Sequence, residues 1–264
     1  MNFKKSWNGA YAKSEIITRE NSPLTMFEVD MVKLRAGEEK KYNEVNREYG
    51  LVILGGTCSV KGADFSFENI GKRKNVFDGP ATCVYVGANT PFAIEGVSEE
   101  VVVCVAKCPS ENAHKAVLVK PEDVIIKDLG KPGWERQAHF ILDERVEADL
   151  IYIGEAFVHG GQWASFPPHK HDDDNMPTEG FLEEIYYYEF DKPQGFGIQK
   201  VYTKEGDIDE TYTVKTGDFV EIPRGYHPFC AAPGYENYYL WLMAGKNRGF
   251  FMTTEECHKW LNNK

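Results

Sequence analysis

The sequence predicts an all-β protein with two modules and one short helix at the C-terminus. Short runs rich in Val, Ile, Tyr and Phe fill most of the chain, and Gly, Pro, Asn and Asp separate them. No sustained helical periodicity appears before the C-terminus. The segment 109–135 contains several Pro and Gly residues and indicates a connection. We therefore predict an N-terminal module over residues 1–130 and a C-terminal module over residues 131–264.

The predicted strands have the length and spacing of a sandwich or barrel. Those in the first module are Met26–Leu34, Tyr49–Gly55, Cys83–Val86 and Val101–Ala106. Those in the second are Leu150–Val158, Ile185–Phe190, Phe196–Tyr202, Tyr212–Val214, Phe219–Ile222 and Tyr238–Met243. A weak resemblance between the two halves suggests an internal repeat.

The C-terminal helix is predicted from one local pattern. Thr253 precedes Glu256 by three residues, which is the spacing of a capping box, and Trp260 and Leu261 follow.

Charge and hydropathy exclude several classes of partner. The formal net charge is -11, which disfavours nucleic acid and anionic membrane surfaces. The longest apolar runs are too short to span a bilayer, and no signal-peptide pattern follows Lys4 and Lys5. The six cysteines show no CxxC spacing, so we expect buried, reduced thiols in a cytoplasmic protein.

Four side chains in the second module form a pattern typical of a metal site. His169 and His171 are two residues apart, so on a strand both imidazoles face the same side. Glu184 opens an aromatic strand, and His227 follows a Gly-Asp and Pro-Xaa-Gly sequence. Imidazole and carboxylate ligands suit a divalent transition metal, namely Zn, Mn, Fe, Ni or Co.

Neighbouring charged residues leave alternatives open. Glu179 and Glu183 compete with Glu184 as the carboxylate ligand, and Glu184 is favoured because it directly opens the strand. Lys170 should point away from its two histidine neighbours. We interpret the run Asp172–Asp174 as a solvated loop face rather than as a second metal site.

The order of these residues resembles the two motifs of the cupin superfamily. Gly161, His169, His171 and Glu184 match the first motif, although the gap before Glu184 is unusually long. The second motif is matched by Gly217, Pro223, Gly225 and His227. The resemblance implies two tandem cupin modules, each a jelly-roll β-barrel. Residues 1–113 contain no histidine, so only the C-terminal module can carry this site.

A more specific resemblance runs from about residue 25 to the C-terminus. Several segments are similar to the 5-deoxy-glucuronate isomerase family of myo-inositol catabolism. They are 163–172, 181–187, 194–196, 199–203, 208–211 and 223–228, with 67–73 and 76–77 in the first half. This family also has the long insertion after His-Xaa-His. The resemblance implies a cytoplasmic, metal-dependent aldose–ketose isomerase that makes 2-deoxy-5-keto-gluconate and needs no nucleotide cofactor.

Four further residues are predicted to act on a uronate-type sugar acid. Tyr186 lies on the ligand side of its strand and is either a proton shuttle or part of an aromatic wall. Arg136 and His139 match the family pattern and are predicted to bind the substrate carboxylate, although His139 also suits a structural role. Arg224 is a weaker carboxylate ligand.

Other functions remain compatible with the pattern. The related 5-keto-4-deoxyuronate isomerases of pectin breakdown rank second, followed by a non-catalytic sugar-binding cupin and an oxygen-dependent dioxygenase. A homo-oligomer that pairs through edge strands is also possible for a β protein of this kind.

Overall fold

The computed structural model describes residues 2–263 and confirms the all-β prediction. Its first eleven strands are β1 (Lys4–Ser6), β2 (Ala12–Ile17), β3 (Glu28–Arg35), β4 (Glu39–Tyr42), β5 (Arg47–Gly55), β6 (Cys58–Gly62), β7 (Ser66–Ile70), β8 (Thr82–Val86), β9 (Phe92–Gly96), β10 (Glu100–Pro109) and β11 (Val117–Val119). A 3-10 turn over Pro121–Asp123 follows β11.

The remaining strands belong to the second half of the chain. They are β12 (Ile125–Leu129), β13 (Arg136–Leu142), β14 (Ile151–His159), β15 (Trp163–Ala164), β16 (His169–Lys170), β17 (Glu183–Phe190), β18 (Gly197–Tyr202), β19 (Asp209–Val214), β20 (Asp218–Ile222), β21 (Phe229–Ala231), β22 (Glu236–Ala244) and β23 (Thr253–Thr254). A 3-10 helix over Glu256–Asn263 ends the described part of the chain.

The chain divides into two compact units. The N-terminal unit comprises Trp7–Ile125 and Phe140–Ile153. The C-terminal unit comprises the residues up to Ser6, Ile126–His139 and the chain from Gly154 onwards. The boundary predicted at residue 130 is therefore crossed in both directions. The N-terminal unit includes Phe140–Ile153, and the C-terminal unit includes the residues up to Ser6.

The two units repeat one strand order. The large sheet of the N-terminal unit has the order β11-β8-β5-β10-β3-β2, and the other large sheet has the order β1-β20-β17-β22-β14-β13-β12. The small sheets have the orders β4-β9-β6-β7 and β15-β21-β18-β19. β17 and β5 thus occupy the same place in their sheets. This correspondence supports the internal repeat suggested by the sequence.

The N-terminal unit has an apolar interior. Alternate residues of β5 (Tyr49, Leu51 and Ile53) belong to one buried cluster with side chains from β3, β8 and β10. Tyr42 stacks on Phe92 within it, with ring centroids 5.1 Å apart.

In the C-terminal unit β17 is a central strand between β20 and β22. Glu184 lies opposite Ile222 on β20 and Met243 on β22. Five of its eight residues are aromatic or β-branched, which suits a strand buried on both sides; the other three are glutamates. A central strand fixes its side chains in place, so Glu184 has a well-defined position.

Two local predictions were wrong. Thr253 does not cap a helix, because it pairs with Lys170 in the β16–β23 ladder, and the terminal helix is of the 3-10 type and begins at Glu256. The cysteines are all free, but Cys257 is exposed rather than buried. Within residues 2–263 no helix is long and apolar enough to cross a membrane.

Candidate metal centre and substrate pocket

The three histidines of the predicted site are oriented by backbone carbonyls. In each ring Nδ1 faces a carbonyl oxygen, which can only accept a hydrogen bond. The pairs are His169 with Pro167 at 3.2 Å, His171 with Leu182 at 2.7 Å, and His227 with Gly225 at 2.9 Å. Each Nδ1 therefore carries a proton, and in the neutral ring the Nε2 lone pair is available to a cation.

Gly225 explains why the second motif needs glycine before His227. Its φ is +95°, and an added Cβ would lie 2.4 Å from the carbonyl oxygen of Tyr202. Only glycine adopts this conformation without strain at so close an approach. The turn also directs the Gly225 carbonyl oxygen at His227 Nδ1.

Glu184 is the centre of the cluster. Its Oε2 lies 3.2 Å from His171 Nε2 and 3.1 Å from His227 Nε2, and all three side chains are buried. One ligand atom from each of these residues lies within 4.8 Å of the others. Among the described residues, Glu184 Oε1 and His227 Nε2 have no hydrogen-bond partner. Buried polar atoms without partners that converge on one point fit a bound cation.

His169 adjoins this group from the side. Its ring centroid is 5.0 Å from that of His227, and the two rings are nearly perpendicular. His169 is not part of the tight three-residue group found among residues 2–263. Of the four predicted ligands, His171, Glu184 and His227 thus lie close together, and the imidazole of His169 lies beside them.

The pKa shifts of the clustered side chains keep Glu184 ionised and His169 neutral, which are the protonation states that bind a metal cation. Burial alone would raise the pKa of Glu184, but His227 and His171 outweigh it and hold the pKa at about 2. Burial, and then His227 and His171, lower the pKa of His169 well below 6.5. Burial lowers the pKa of His171, yet the Glu184 carboxylate more than reverses this effect. A metal would replace the proton that Glu184 attracts to His171.

The competing carboxylate Glu179 is engaged elsewhere. Its Oε1 accepts hydrogen bonds from Lys170 Nζ at 2.8 Å and from the backbone N–H of Asp172 at 2.7 Å. Lys170 thus points away from the histidines, as expected from strand alternation. These contacts favour Glu184 as the ligand.

The acidic run after His171 is more than a solvated face. Asp172 Oδ1 accepts a hydrogen bond from the backbone N–H of Gly225 at 2.8 Å, which ties the first motif to the second. Asp174 Oδ1 accepts from the N–H of Phe181 at 3.1 Å and from Asn247 Nδ2 at 2.9 Å. No local pattern predicts the contacts of Asp172 with Gly225 or of Asp174 with Asn247, because these residues lie far apart in the chain.

Gln199 supports His227 from behind. Its Nε2 donates to the carbonyl oxygen of His227 at 2.7 Å, and its Oε1 accepts from the Tyr188 hydroxyl at 2.6 Å. All three residues are buried. A fully bonded buried amide of this kind fixes the position of a ligand. No local pattern in the sequence predicts this role of Gln199.

A pocket opens beside Glu184 and His169. Its polar lining consists of Arg136, Ser165, His169, Glu184, Tyr186 and Tyr239. Its apolar lining consists of Leu129, Ala138, Ala156, Trp241, Met243, Phe250 and Met252. The pocket therefore brings two residues of the candidate metal centre, one guanidinium and several hydroxyls together, as a small polar substrate requires.

Tyr186 faces this pocket and contacts Ser165. The Tyr186 hydroxyl lies 2.7 Å from Ser165 Oγ. Burial, and then the Glu184 charge, raise the pKa of Tyr186 well above 10, so the phenol stays protonated at neutral pH. Ser165 has a φ of 51°, an uncommon conformation for a non-glycine residue. Its hydroxyl is a feature of the site that sequence reasoning missed.

His139 and Arg224 lie away from this pocket. On β13 the pocket-lining residues are Arg136 and Ala138, so His139 points to the opposite face. There His139 contacts Glu155 at 3.2 Å and Gln137 at 3.0 Å, which is a structural role. Arg224 is partly exposed and pairs with Asp207. Among the predicted substrate ligands, the structure brings only Arg136 to the metal cluster.

The fold and the cluster together define a cupin with a histidine–carboxylate centre. The chain resembles a Bacillus subtilis oxalate decarboxylase studied for its Mn(II) centres. The TM-score is 0.64 at 12% sequence identity, and the match covers 96% of this chain and 79% of the other. This likeness shows the fold. Manganese is a property of that enzyme.

The chain belongs to the KduI/IolB family, whose model matches residues 6–261. It is 40% identical over 248 residues to a 5-deoxy-glucuronate isomerase of Bacillus licheniformis, covering 93% of this chain and 91% of that protein. An IolB-like protein from Salmonella typhimurium LT2 has 34% identity and a TM-score of 0.94, with coverage of 99% of this chain and 100% of that one.

Proposed function

We propose that this chain is a metal-dependent 5-deoxy-glucuronate isomerase. The observation that carries the proposal is one pocket lined by Glu184, His169 and Arg136. The same Glu184 carboxylate forms the close cluster with His171 and His227. The relatives that bear this enzyme name span nearly the whole chain. The reaction moves hydrogen between two adjacent carbons of a sugar acid, so one site must hold a carboxylate, a carbonyl and a hydroxyl.

Residues His169, His171, Glu184 and His227 would hold a divalent transition metal. Three imidazole Nε2 atoms and one carboxylate suit Zn, Mn, Fe, Ni or Co. When bound, the cation supplies Lewis-acid polarisation of substrate oxygen atoms. With neutral imidazoles, the centre has a net charge of about +1, which favours an anionic substrate.

Arg136 is the residue that binds the substrate carboxylate. It lines the pocket, and after burial, His227 and His171 its charge is a further cause of the lowered pKa of His169. Burial raises the pKa of Tyr239, and the Arg136 charge opposes that rise. A guanidinium forms paired hydrogen bonds with a carboxylate, which fixes the direction of the sugar chain. The carbons that react are then held toward Glu184.

Tyr186 donates a hydrogen bond to a substrate oxygen rather than acting as a base. Its raised pKa keeps the proton on the phenol, and Ser165 Oγ holds the hydroxyl in place. A donor directed at an oxygen on which negative charge develops stabilises the transition state. The apolar wall of Trp241, Met243 and Phe250 limits access of water and strengthens this interaction.

The test is anaerobic turnover of 5-deoxy-glucuronate by purified protein with its metal content measured. Formation of 2-deoxy-5-keto-gluconate that stops on chelation and returns on addition of metal is the expected result. The same assay with a 5-keto-4-deoxyuronate gives the matched control. Faster turnover of that substrate would overturn the proposed substrate and retain the isomerase class.

Two other results would overturn the reaction itself. Tight sugar binding without turnover, in protein carrying full metal, would indicate a binding cupin. Activity that requires oxygen would indicate a dioxygenase.

A further inference from the structure

A second group of metal-ligand side chains lies at the start of the C-terminal 3-10 helix. Ligand atoms of Glu255, Cys257 and His258 lie within 4.8 Å of one another. None of these residues belongs to the pocket lining described above. The group combines a carboxylate, a thiol and an imidazole.

Glu255 is the fixed member of this group. Its backbone N–H donates to the carbonyl oxygen of Pro168 at 2.9 Å, and its Oε2 accepts from the Tyr202 hydroxyl at 2.6 Å. His258 Nε2 lies 3.5 Å from the same Oε2. The Cys257 thiol sulfur lies within 4.8 Å of a Glu255 carboxylate oxygen. Three donor groups are thus held around one carboxylate before any ligand arrives.

We infer that Glu255, Cys257 and His258 form a second binding site for a thiophilic divalent metal such as Zn²⁺. Thiolate and imidazole together select zinc over magnesium or calcium, which prefer oxygen ligands only. Three protein ligands leave a tetrahedral ion one position for water. The Tyr202 hydroxyl is the outer partner that orients the carboxylate.

The exposure of the group supports binding from solution. Cys257 is exposed and His258 is partly exposed, so an ion can enter without movement of the core. The exposed side chains also allow substitution without loss of the fold.

This site adjoins the segment that carries the first histidine of the metal centre. Thr254, next to Glu255, pairs with His169 in the β16–β23 ladder. A metal held by Glu255, Cys257 and His258 would tether this end of the chain beside His169. The inference stands on its own donor group and does not depend on the proposed reaction.

Titration of chelator-treated protein with Co²⁺ separates the two sites by absorption. Thiolate ligation gives an intense near-ultraviolet charge-transfer band, and the histidine–carboxylate cluster contains no cysteine. We expect this band in the wild-type protein and in H171A. In C257S the band should vanish with the loss of one metal equivalent, and turnover should be retained. The control C230S, which changes a cysteine on β21, should keep the band.

Absence of the band in wild-type protein at saturating Co²⁺ would overturn the inference. So would a band that persists in C257S. Either result leaves the proposed isomerase unaffected, because its test is turnover that depends on the other cluster.

Discussion

The two units place different chemistry at the same position of one repeated strand order. In the N-terminal unit, β5 contributes Tyr49, Leu51 and Ile53 to an apolar core. In the C-terminal unit, the corresponding strand β17 contributes Glu184 and Tyr186 to a polar pocket. The strand order and the alternation of side chains are common to both.

The difference separates what the fold requires from what the site requires. The apolar interior shows that this strand order needs no metal ligand to fill its core. In the C-terminal unit, buried Glu184 Oε1 and His227 Nε2 have no hydrogen-bond partner within residues 2–263, which is costly without a cation. The same strand order therefore occurs with a candidate site in one unit and without one in the other. The function has to be inferred from the residues of the site and not from the fold.

We expect the largest effect from a substitution that removes a predicted metal ligand of the C-terminal unit. His171→Ala removes one of three close ligands, so we expect loss of metal and a fall in kcat/KM of roughly 10³-fold. Metal analysis and steady-state kinetics measure both. His159→Ala, which removes an exposed histidine paired with Glu236, is the control and should be silent. Full metal and full rate in His171→Ala would refute the ligand assignment.

A second substitution introduces a carboxylate into the apolar interior of the N-terminal unit. Leu51→Glu places a carboxylate within the buried hydrophobic cluster, and it should lower the free energy of unfolding by about 4 kcal/mol or more. Val45→Glu, at a side chain that is 72% exposed, is the matched control. Urea unfolding compares the two variants. Equal stability of both would contradict the distinction between the two interiors.

A smaller effect is expected at the rim of the metal cluster. Arg136→Ala should raise KM about 10- to 100-fold, because the substrate carboxylate loses its guanidinium partner. Arg136→Lys should recover part of the loss. Arg224→Ala should leave KM unchanged, since Arg224 pairs with Asp207 outside the pocket. A KM effect in Arg224→Ala and none in Arg136→Ala would reverse this assignment.

Ser165 and Tyr186 should act as one unit. Ser165→Gly should lower kcat about tenfold, and stability should stay within about 1 kcal/mol because glycine favours a φ of 51°. Tyr186→Phe should have a similar effect on kcat. If the hydroxyls work together, the double variant loses no more than either single one, so fully additive losses would speak against the pair.

The smallest effect concerns the loop that follows His171. Lys170 and neighbouring donors outweigh burial and lower the pKa of Glu179 below 4.5. A carboxyl with a depressed folded pKa adds stability above its unfolded pKa and loses it as the pH falls through the folded value. Glu179→Gln should cost about 1 kcal/mol at pH 7 and flatten the decline below pH 4.5. Urea unfolding of chelated protein at several pH values measures this, and an unchanged pH profile would count against it.

The sequence predicted ten of the described strands, which span both units, and the residues of the histidine–carboxylate cluster, because these depend on local patterns. Period-two alternation placed His169 with His171 and Tyr186 with Glu184 on common faces. The same rule, applied to β13, would have separated His139 from Arg136. Ser165, Asp172 and Gln199 could not be predicted, since their contacts with Tyr186, Gly225 and His227 join segments far apart in the chain.

The most direct test of the metal centre is anomalous diffraction from crystals of active protein at the absorption edge of its metal. We predict one peak within about 2.0–2.3 Å of His171 Nε2, His227 Nε2 and a Glu184 carboxylate oxygen. No peak should occur inside the apolar core of the N-terminal unit. Active crystals without a peak at Glu184 would contradict the central claim that this cluster holds the catalytic metal.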